Sequence, residues 1–374
     1  MTTDGDLEIF FAAPPGLEAA LLGEVREQAF ARARPVAGGV TAKGAWRDVW
    51  RACLGIRGAS RIVPRFTQFR AVHLSQLDKS ARRVPWESVL RKDVPFRVEA
   101  SCRASRIYHT GAAAERVERA IREELGAEAS ATAEVCVRVR IERDMCSIGV
   151  DAGGELLHKR GFKEEVAKAP LRETMAALLL RCCGFTGSEP VLDPMCGSGT
   201  FVIEAAEIAA GLAPGRGRHF AFEKLATFDA AVWREMRGSG AEAASAATPC
   251  RFYGSDRDAG AVRISRANAE RAGVATITEF RQLAIEEIER PAGPPGLVIV
   301  NPPYGARIGD RQALAPLYRA LGAAVAGRFS GWRVGLVTTE KPLAQATGLP
   351  FGPPAPAIPH GGLRIQLFQT GPLP

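Results

Sequence analysis

The 374-residue sequence predicts an α/β fold, an open parallel sheet in the C-terminal half preceded by an α+β region. Three observations carry this. From about residue 170 strand-sized apolar runs alternate with longer helical patterns, as in βαβ units. Two of those runs, Val191-Leu192-Asp193 and Leu297-Val298-Ile299-Val300, are continuous rather than alternating, which suits strands covered on both faces. Before residue 155 the strand-like and helix-like pieces are short and mixed, fitting an α+β domain better than a second doubly wound one.

In chain order, Leu7 to Ala13 reads as a strand, and Pro15-Gly16 opens a helical run with Leu17, Leu21, Leu22 and Val25 on one face. Gly38-Gly39-Val40 turns into another strand. Ile62 to Phe69 and Phe96 to Ser101 are further strands, followed by a helix from about Gly111 to Leu125 and strands at Val135 to Ile141 and Met145 to Val150. A helix near Leu171 to Cys183 precedes the strand at Val191, and the helix after Gly199 carries Ile203, Ala206 and Ala210. Strands at Arg251 to Gly254, Ile277 to Arg281, Leu297 to Val300, Trp332 to Val337 and Leu363 to Phe368 follow, with helices at Ala259 to Ala272 and Leu314 to Val325. Gly238 to Pro249, rich in Ala, Ser and Gly, reads as a disordered loop.

Composition bounds the function. The formal net charge is +8, and between Lys43 and Arg106 fifteen basic residues face five acidic ones, a net +10, so the remainder is slightly acidic. Such a segment favours a polyanionic partner. Eight cysteines show no Cys-x-x-Cys and no zinc spacing, which reads as reduced, mostly buried thiols of a cytosolic protein. No signal peptide or apolar run of membrane-spanning length is visible. The expectation is a cytoplasmic monomer with no metal and no membrane partner.

Two loops carry the chemistry. In Val191-Leu192-Asp193-Pro194-Met195-Cys196-Gly197-Ser198-Gly199-Thr200 an apolar strand ends in Asp and breaks into Gly-x-Gly, where a ligand can approach the backbone. The third glycine of a dinucleotide fingerprint and the lysine of a P-loop are both missing, so NAD and ATP are disfavoured. In Asn301-Pro302-Pro303-Tyr304 a second buried strand delivers an amide, carbonyls and an aromatic ring at its C-terminal edge. The first loop suits a nucleoside cofactor and the second a planar amine, although a bare glycine-rich turn and a bare proline turn remain the bland alternatives.

The order Asp193-Pro194-Met195-Cys196-Gly197-Ser198-Gly199-Thr200, then Tyr253-Gly254-Ser255-Asp256, then Asn301-Pro302-Pro303-Tyr304-Gly305, resembles the class I S-adenosylmethionine-dependent RNA methyltransferases with an N-terminal THUMP domain. Among them it is most similar to the bacterial 23S ribosomal RNA guanine-N2 methyltransferase group, with the tRNA guanine-N2 enzymes close behind. The likeness includes Tyr108-His109-Thr110, Leu157-His158-Lys159-Arg160-Gly161 and Ala169-Pro170-Leu171-Arg172-Glu173-Thr174. It implies a ferredoxin-like lead-in over residues 1–60, a THUMP domain over 61–155, a linker over 156–169 and a Rossmann-like seven-stranded methyltransferase domain over 170–374.

The resemblance further implies S-adenosylmethionine as cofactor. Gly197 and Gly199 would let the backbone pass its amino-acid moiety, Asp193 would face its ammonium, and Asp256 would accept from its ribose diol, unless Asp256 is only a helix N-cap. Pro194, Cys196, Thr200, Arg257 and Asn301 complete the expected cofactor set. Cys196 lies inside the cofactor turn and is read as packing rather than as a nucleophile. One departure is Ala284, where the family commonly places an Asp for the adenine amine; Glu286 or a backbone carbonyl would have to substitute. The expected catalytic group is Asn301, Pro302 and Tyr304: the first two hold the hydrogens of an exocyclic amine and the third stacks on a flipped base. Expected RNA contacts are Arg82, Arg83, Arg91, Lys92, Arg103, His109, Lys159 and Arg160. The implied reaction is methylation of guanine N2, in 23S rRNA ahead of tRNA; alternatives are N6-adenine methylation of nucleic acid and a non-catalytic RNA-binding or assembly factor.

Overall fold

The computed structural model describes residues 7–163, 171–243, 251–304 and 311–374. Two compact units result: one comprises Met1–Ala13, Leu21–Leu157 and Gly215–Ser239, the other Pro14–Ala20, His158–Pro214 and Gly240–Pro374. The segment Gly215–Ser239 thus packs with the first unit although it lies within the stretch expected as methyltransferase domain.

The first unit contains β1 (Leu7–Ala12), most of α1 (Glu18–Glu27), β2 (Ala31–Val36), β3 (Gly39–Gly44), α2 (Trp46–Gly55), β4 (Arg61–Arg70), α3 (Leu74–Ala81), β5 (Phe96–Arg103), α4 (Thr110–Leu125), β6 (Val135–Glu142) and β7 (Met145–Val150). Its strands form one sheet in the order β2-β3-β1-β4-β7-β6-β5. The ten-residue β4 is the shared member: Arg61–Arg65 pairs antiparallel with β1, and Arg65–Arg70 pairs antiparallel with β7. β1 alternates buried and half-buried positions, with Ile9 and Phe11 fully buried, the period-2 signal the sequence carries. The strand β2 has no such signal, because Ala-Arg-Ala-Arg-Pro-Val lies exposed at the sheet edge, where charge and proline discourage further pairing.

The second unit contains α5 (Glu173–Cys182), β8 (Val191–Asp193) and α6 (Thr200–Ala209). Helix α7 (Ala230–Ala243), of which Ala230–Ser239 packs with the first unit, comes next in the chain, then β9 (Phe252–Asp256), α8 (Ala259–Ala272), β10 (Thr278–Gln282) and β11 (Leu297–Val300). The chain ends with α9 (Arg311–Arg328), β12 (Arg333–Thr338), α10 (Lys341–Ala346), β13 (Ile358–His360) and β14 (Leu363–Gln369). The sheet order is β10-β9-β8-β11-β12-β14-β13, parallel except for β14, which runs antiparallel to both neighbours. All four side chains of β11 are at most 1% exposed, each contributing about 1.5–3 kcal/mol of burial. Close packing between β9 and β10 also requires glycine: a β-carbon on Gly254 would lie 2.6 Å from the Phe280 ring.

One expectation changes. The loop expected from Gly238 is helical as far as Ala243, where Ala241-Glu242-Ala243 are strong helix formers; its remainder, residues 244–249, lies outside the described residues. Residues 164–169 of the expected linker, and Ala169, Pro170 and Gly305 of the family motifs, also lie outside them. Among the described residues no helix is long and apolar enough to cross a membrane, and no His, Cys, Asp and Glu cluster could hold a metal ion.

Candidate active site

Strand order fixes where a ligand can bind. The chain runs from β8 outward to β9 and β10, then returns to β11 on the other side of β8, so the topological switch point lies between β8 and β11. Leu297 pairs with Val191 and Val298 with Leu192, while Asp193 pairs with Gly254. Asp193, Asp256 and Asn301 therefore leave three adjacent parallel strands at the same carboxyl edge.

The turn from β8 to α6 is held from within, the Gly199 amide donating to the Cys196 carbonyl at 2.8 Å, and by its neighbours. Gly199 caps α6 with φ +81°, and a β-carbon there would come within 3.1 to 3.2 Å of Ser265, Ile203 and Phe280. Gly197 has φ +54°, and a β-carbon on it would meet nothing within 4 Å, so its backbone borders open space. Helix α8 supports the turn: Ser265 Oγ donates to the Gly197 carbonyl at 2.9 Å, and the fully buried Asn268 donates through Nδ2 to the Ser198 carbonyl at 3.1 Å. Cys196 is buried and its amide donates to the Ser255 carbonyl at 2.9 Å. Burial pushes its thiol well above the ordinary value, which suits packing and not a thiolate nucleophile.

The two carboxylates differ. Asp256 accepts the Gly197 amide on Oδ2 and the Asp258 amide on Oδ1, both at 3.0 Å, tying the turn to the start of α8. The N-cap of α8 is Asp258, which accepts the Gly260 amide at 2.7 Å, so capping does not account for Asp256. Asp193 is 3% exposed and accepts the Met195 amide at 3.0 Å. Burial, reinforced by nearby Asp256 and opposed by that amide, pushes its carboxyl up to about 8. Arg257 is exposed, and its carbonyl accepts from Gln282 at 3.2 Å. At Ala284 the amide donates to Glu287 at 2.8 Å, while the Glu286 carbonyl accepts from Arg328 at 2.6 Å.

At the end of β11 the Asn301 side-chain oxygen is buried and has no hydrogen-bond partner. Pro302 is buried, and Pro303 and Tyr304 are half-buried. Burial pushes the Tyr304 hydroxyl up to about 12, so it stays neutral. Beneath the loop, Tyr318 of α9 is fully buried with its hydroxyl 3.2 Å from both the Pro303 carbonyl and Thr338 Oγ1. A phenol has one proton, so donating to Pro303 leaves its oxygen to accept from the Thr338 hydroxyl.

Two participants had no motif to mark them. Tyr318 reads in the sequence only as an apolar helix position. Lys163 donates to Thr200 Oγ1 at 2.8 Å and to the Leu171 carbonyl at 3.0 Å, and lies 3.3 Å from the buried Glu173 carboxylate. Burial lowers its ammonium from the ordinary value, with Glu173 opposing the shift. The Thr200 hydroxyl is thus engaged from below the turn. The only available signal was position, two residues after the matched Gly161.

The basic residues separate by environment. Arg160 is 5% exposed and pairs with Glu204 and Glu207 of α6, which removes it from any RNA-facing surface. Arg82 pairs with Asp78, Glu123 and Glu124, and Arg91 with Asp93. His109 caps α4, its Nδ1 accepting the Ala112 amide at 3.1 Å. Arg103 is exposed with Glu142 3.9 Å away, and Arg83, Lys92 and Lys159 are exposed.

Residues 8–63 match the RlmL ferredoxin-like domain, 71–151 the THUMP domain and 160–350 the RMKL-like methyltransferase domain. The ribosomal RNA large subunit methyltransferase K/L of Vibrio campbellii is 34% identical over 343 residues, covering 88% of this chain and 48% of the relative. The chain spans about half the length of the curated relatives it matches. A Clostridium difficile 630 protein described as a possible methylase superposes with a TM-score of 0.90 at 29% identity, covering 99% of both chains. SMU.472, solved in complex with SAH, superposes with a TM-score of 0.89 at 26% identity, again over 99% of both. With its glycine turn and its Asn-Pro-Pro-Tyr loop inside the matched stretch 160–350, the chain belongs to the RMKL-like methyltransferase domain family.

Proposed function

We propose that this protein transfers a methyl group from S-adenosylmethionine to the exocyclic N2 of a guanine in 23S rRNA. The observation that carries the reading is the Asn301 side-chain oxygen, buried and unpartnered at the edge of the strand beside the glycine turn. A buried acceptor without a donor costs about 1–3 kcal/mol, and an amine N–H of the substrate would offset that cost. The residues around the turn suit the cofactor: open space at Gly197 for backbone approach, the Asp193 carboxyl for an ammonium, and Asp256 with lone pairs left for a ribose diol.

Bound S-adenosylmethionine supplies an electrophilic methyl group on a sulfonium. An exocyclic amine is a poor nucleophile because its lone pair is delocalised into the ring. Asn301 Oδ1 and the Pro302 carbonyl would hold the two amine hydrogens out of the ring plane and aim the freed lone pair. Tyr304, uncharged, offers a face on which the extruded base stacks. Tyr318 and Thr338 fix the loop carbonyl at Pro303, so the acceptors are in place before substrate arrives. Ribosomal RNA as substrate is supported by the match to large-subunit methyltransferases and by the THUMP match at 71–151.

The test is Asn301→Ala. Single-turnover transfer to 23S rRNA at saturating cofactor should fall at least about a hundredfold, with S-adenosylhomocysteine affinity largely intact because the main partner of Asn301 is the acceptor amine. Nucleoside mass mapping of the product should show N2-methylguanosine. N6-methyladenosine, or methylation of tRNA alone, would overturn the assigned amine or RNA; near-wild-type rates would reduce the loop to a turn.

A further inference from the structure

We infer that Lys163 is a positioning residue for the cofactor: by donating into the Thr200 oxygen it turns the Thr200 hydroxyl hydrogen toward the carboxylate of the cofactor's amino-acid moiety. The role rests on S-adenosylmethionine being the cofactor, as proposed above, and supplies a partner for the one negative charge that molecule carries. Lys163 lies outside both motif loops.

The first observation is how Thr200 is held. An ammonium has three donors, and those of Lys163 are committed inside the second unit: to Thr200 Oγ1 at 2.8 Å, to the Leu171 carbonyl at 3.0 Å and to the Glu173 carboxylate at 3.3 Å. A hydroxyl has a single hydrogen, so with an ammonium donating into Oγ1 that hydrogen must point away from Lys163. Thr200 is 8% exposed, and among the described residues its Oγ1 has no second hydrogen-bond partner. A buried donor with no acceptor is costly, and a ligand oxygen would offset that cost.

The second observation gives the charge of that oxygen. Thr200 is the first residue of α6, directly after the Gly199 cap. The Ile203 amide is the first of the helix to find a backbone acceptor, the Gly199 carbonyl at 2.9 Å, whereas the amides of Thr200, Phe201 and Val202 have no acceptor among the described residues. Orphan amides at the positive end of a helix dipole, joined by a hydroxyl hydrogen, seek an anion. Asp193 and Asp256 on the other side of the turn repel one, which leaves the α6 end for a carboxylate and Asp193 for the ammonium of the same moiety. The same dipole disfavours a cation, and burial lowers the Lys163 ammonium, so its place against Thr200 is stabilised by Glu173 and, when ligand is bound, by the carboxylate.

The experiment is isothermal titration of the full chain with S-adenosylhomocysteine and with its decarboxylated form, which keeps the ammonium, ribose and adenine. The wild-type protein should bind the first at least about tenfold more tightly. Lys163→Met should lose about tenfold for S-adenosylhomocysteine and stay within about twofold for the decarboxylated ligand. Thr200→Val should do the same, and Thr200→Ser, which keeps the hydroxyl, should remain within about threefold of wild type for both. Because Lys163 acts through Thr200, the double variant should lose no more than about twofold beyond either single one. Circular dichroism melts confirm that each variant is folded; should Lys163→Met not fold, the pair Lys163→Met, Glu173→Gln leaves no carboxylate without its cation and is read in the same way. Equal loss for both ligands would make Lys163 a buttress of the turn and overturn the role, as would full additivity in the double variant or a wild-type protein indifferent to the carboxylate. If the wild-type protein binds neither ligand, the cofactor reading fails with it; if it binds S-adenosylhomocysteine and the Lys163 variant matches it, this inference alone fails.

Discussion

Replacing Asp256 with alanine removes two acceptors that the protein uses before any ligand arrives. Its Oδ2 takes the Gly197 amide and its Oδ1 the Asp258 amide, each at 3.0 Å. At about 1 kcal/mol net apiece, their loss costs the turn and the start of α8 about 2 kcal/mol of local stability. The proposed ribose contact is separate: charge-assisted bonds from a diol are worth about 1.5–3 kcal/mol, which is about 10- to 150-fold in Kd. Asp256→Asn separates the two contributions, because its side-chain oxygen can still accept one amide while the charge is gone; it should lose roughly half the ligand energy and less of the stability. Isothermal titration with S-adenosylhomocysteine reads the first quantity, and thermal melting with and without ligand reads the second. A lowered melting temperature with unchanged Kd would leave Asp256 a buttress of the turn and nothing more. Unchanged values of both would refute the geometry itself.

Tyr318→Phe deletes the proton held at the Pro303 carbonyl without changing side-chain volume, so kcat should fall about tenfold while KM for S-adenosylmethionine holds; a rise in that KM at constant kcat would mean that Tyr318 only packs. Cofactor affinity should climb as pH rises from 6 to 8 and level above that. The buried Asp193 carboxyl stays protonated up to about 8, whereas a bound ammonium favours the carboxylate and expels that proton. The same raised value makes ligand-free protein lose stability as pH climbs from the ordinary 3.8 through about 8, because the unfolded chain ionises first. Titrations at several pH values check the sign, Asp193→Asn should flatten the profile, and a flat wild-type profile would refute the assignment.

Much of the architecture is local in origin and therefore legible. The run Leu297-Val298-Ile299-Val300 can be satisfied only inside a covered parallel sheet, and all four side chains lie there. The glycines of the β8–α6 turn announce a left-handed backbone, which Gly197 and Gly199 adopt. Weak elements escaped for equally local reasons. β13 is three residues long, β2 is an arginine-rich edge, and α7 crosses Gly238-Ser239-Gly240, a stretch that reads as a breaker.

The sequence by itself determined the alternation of strands and helices, the two loops that break them, the basic stretch from Lys43 to Arg106 and the order in which all of these occur, because each follows from the conformational preferences of neighbouring residues. Only the tertiary structure decided which charges are free and which polar atoms are alone. Arg160, in a stretch expected to contact RNA, meets Glu204 forty-four positions later and is buried with it, whereas Arg83 has no ion pair among the described residues beside a thrice-paired Arg82. Tyr318 reaches Pro303 only because α9 packs against the acceptor loop, and Asn301, at the end of a strand paired with β8, keeps a buried side-chain oxygen with no donor. Burial and pairing are sums over residues distant in the chain, and composition or spacing cannot carry them.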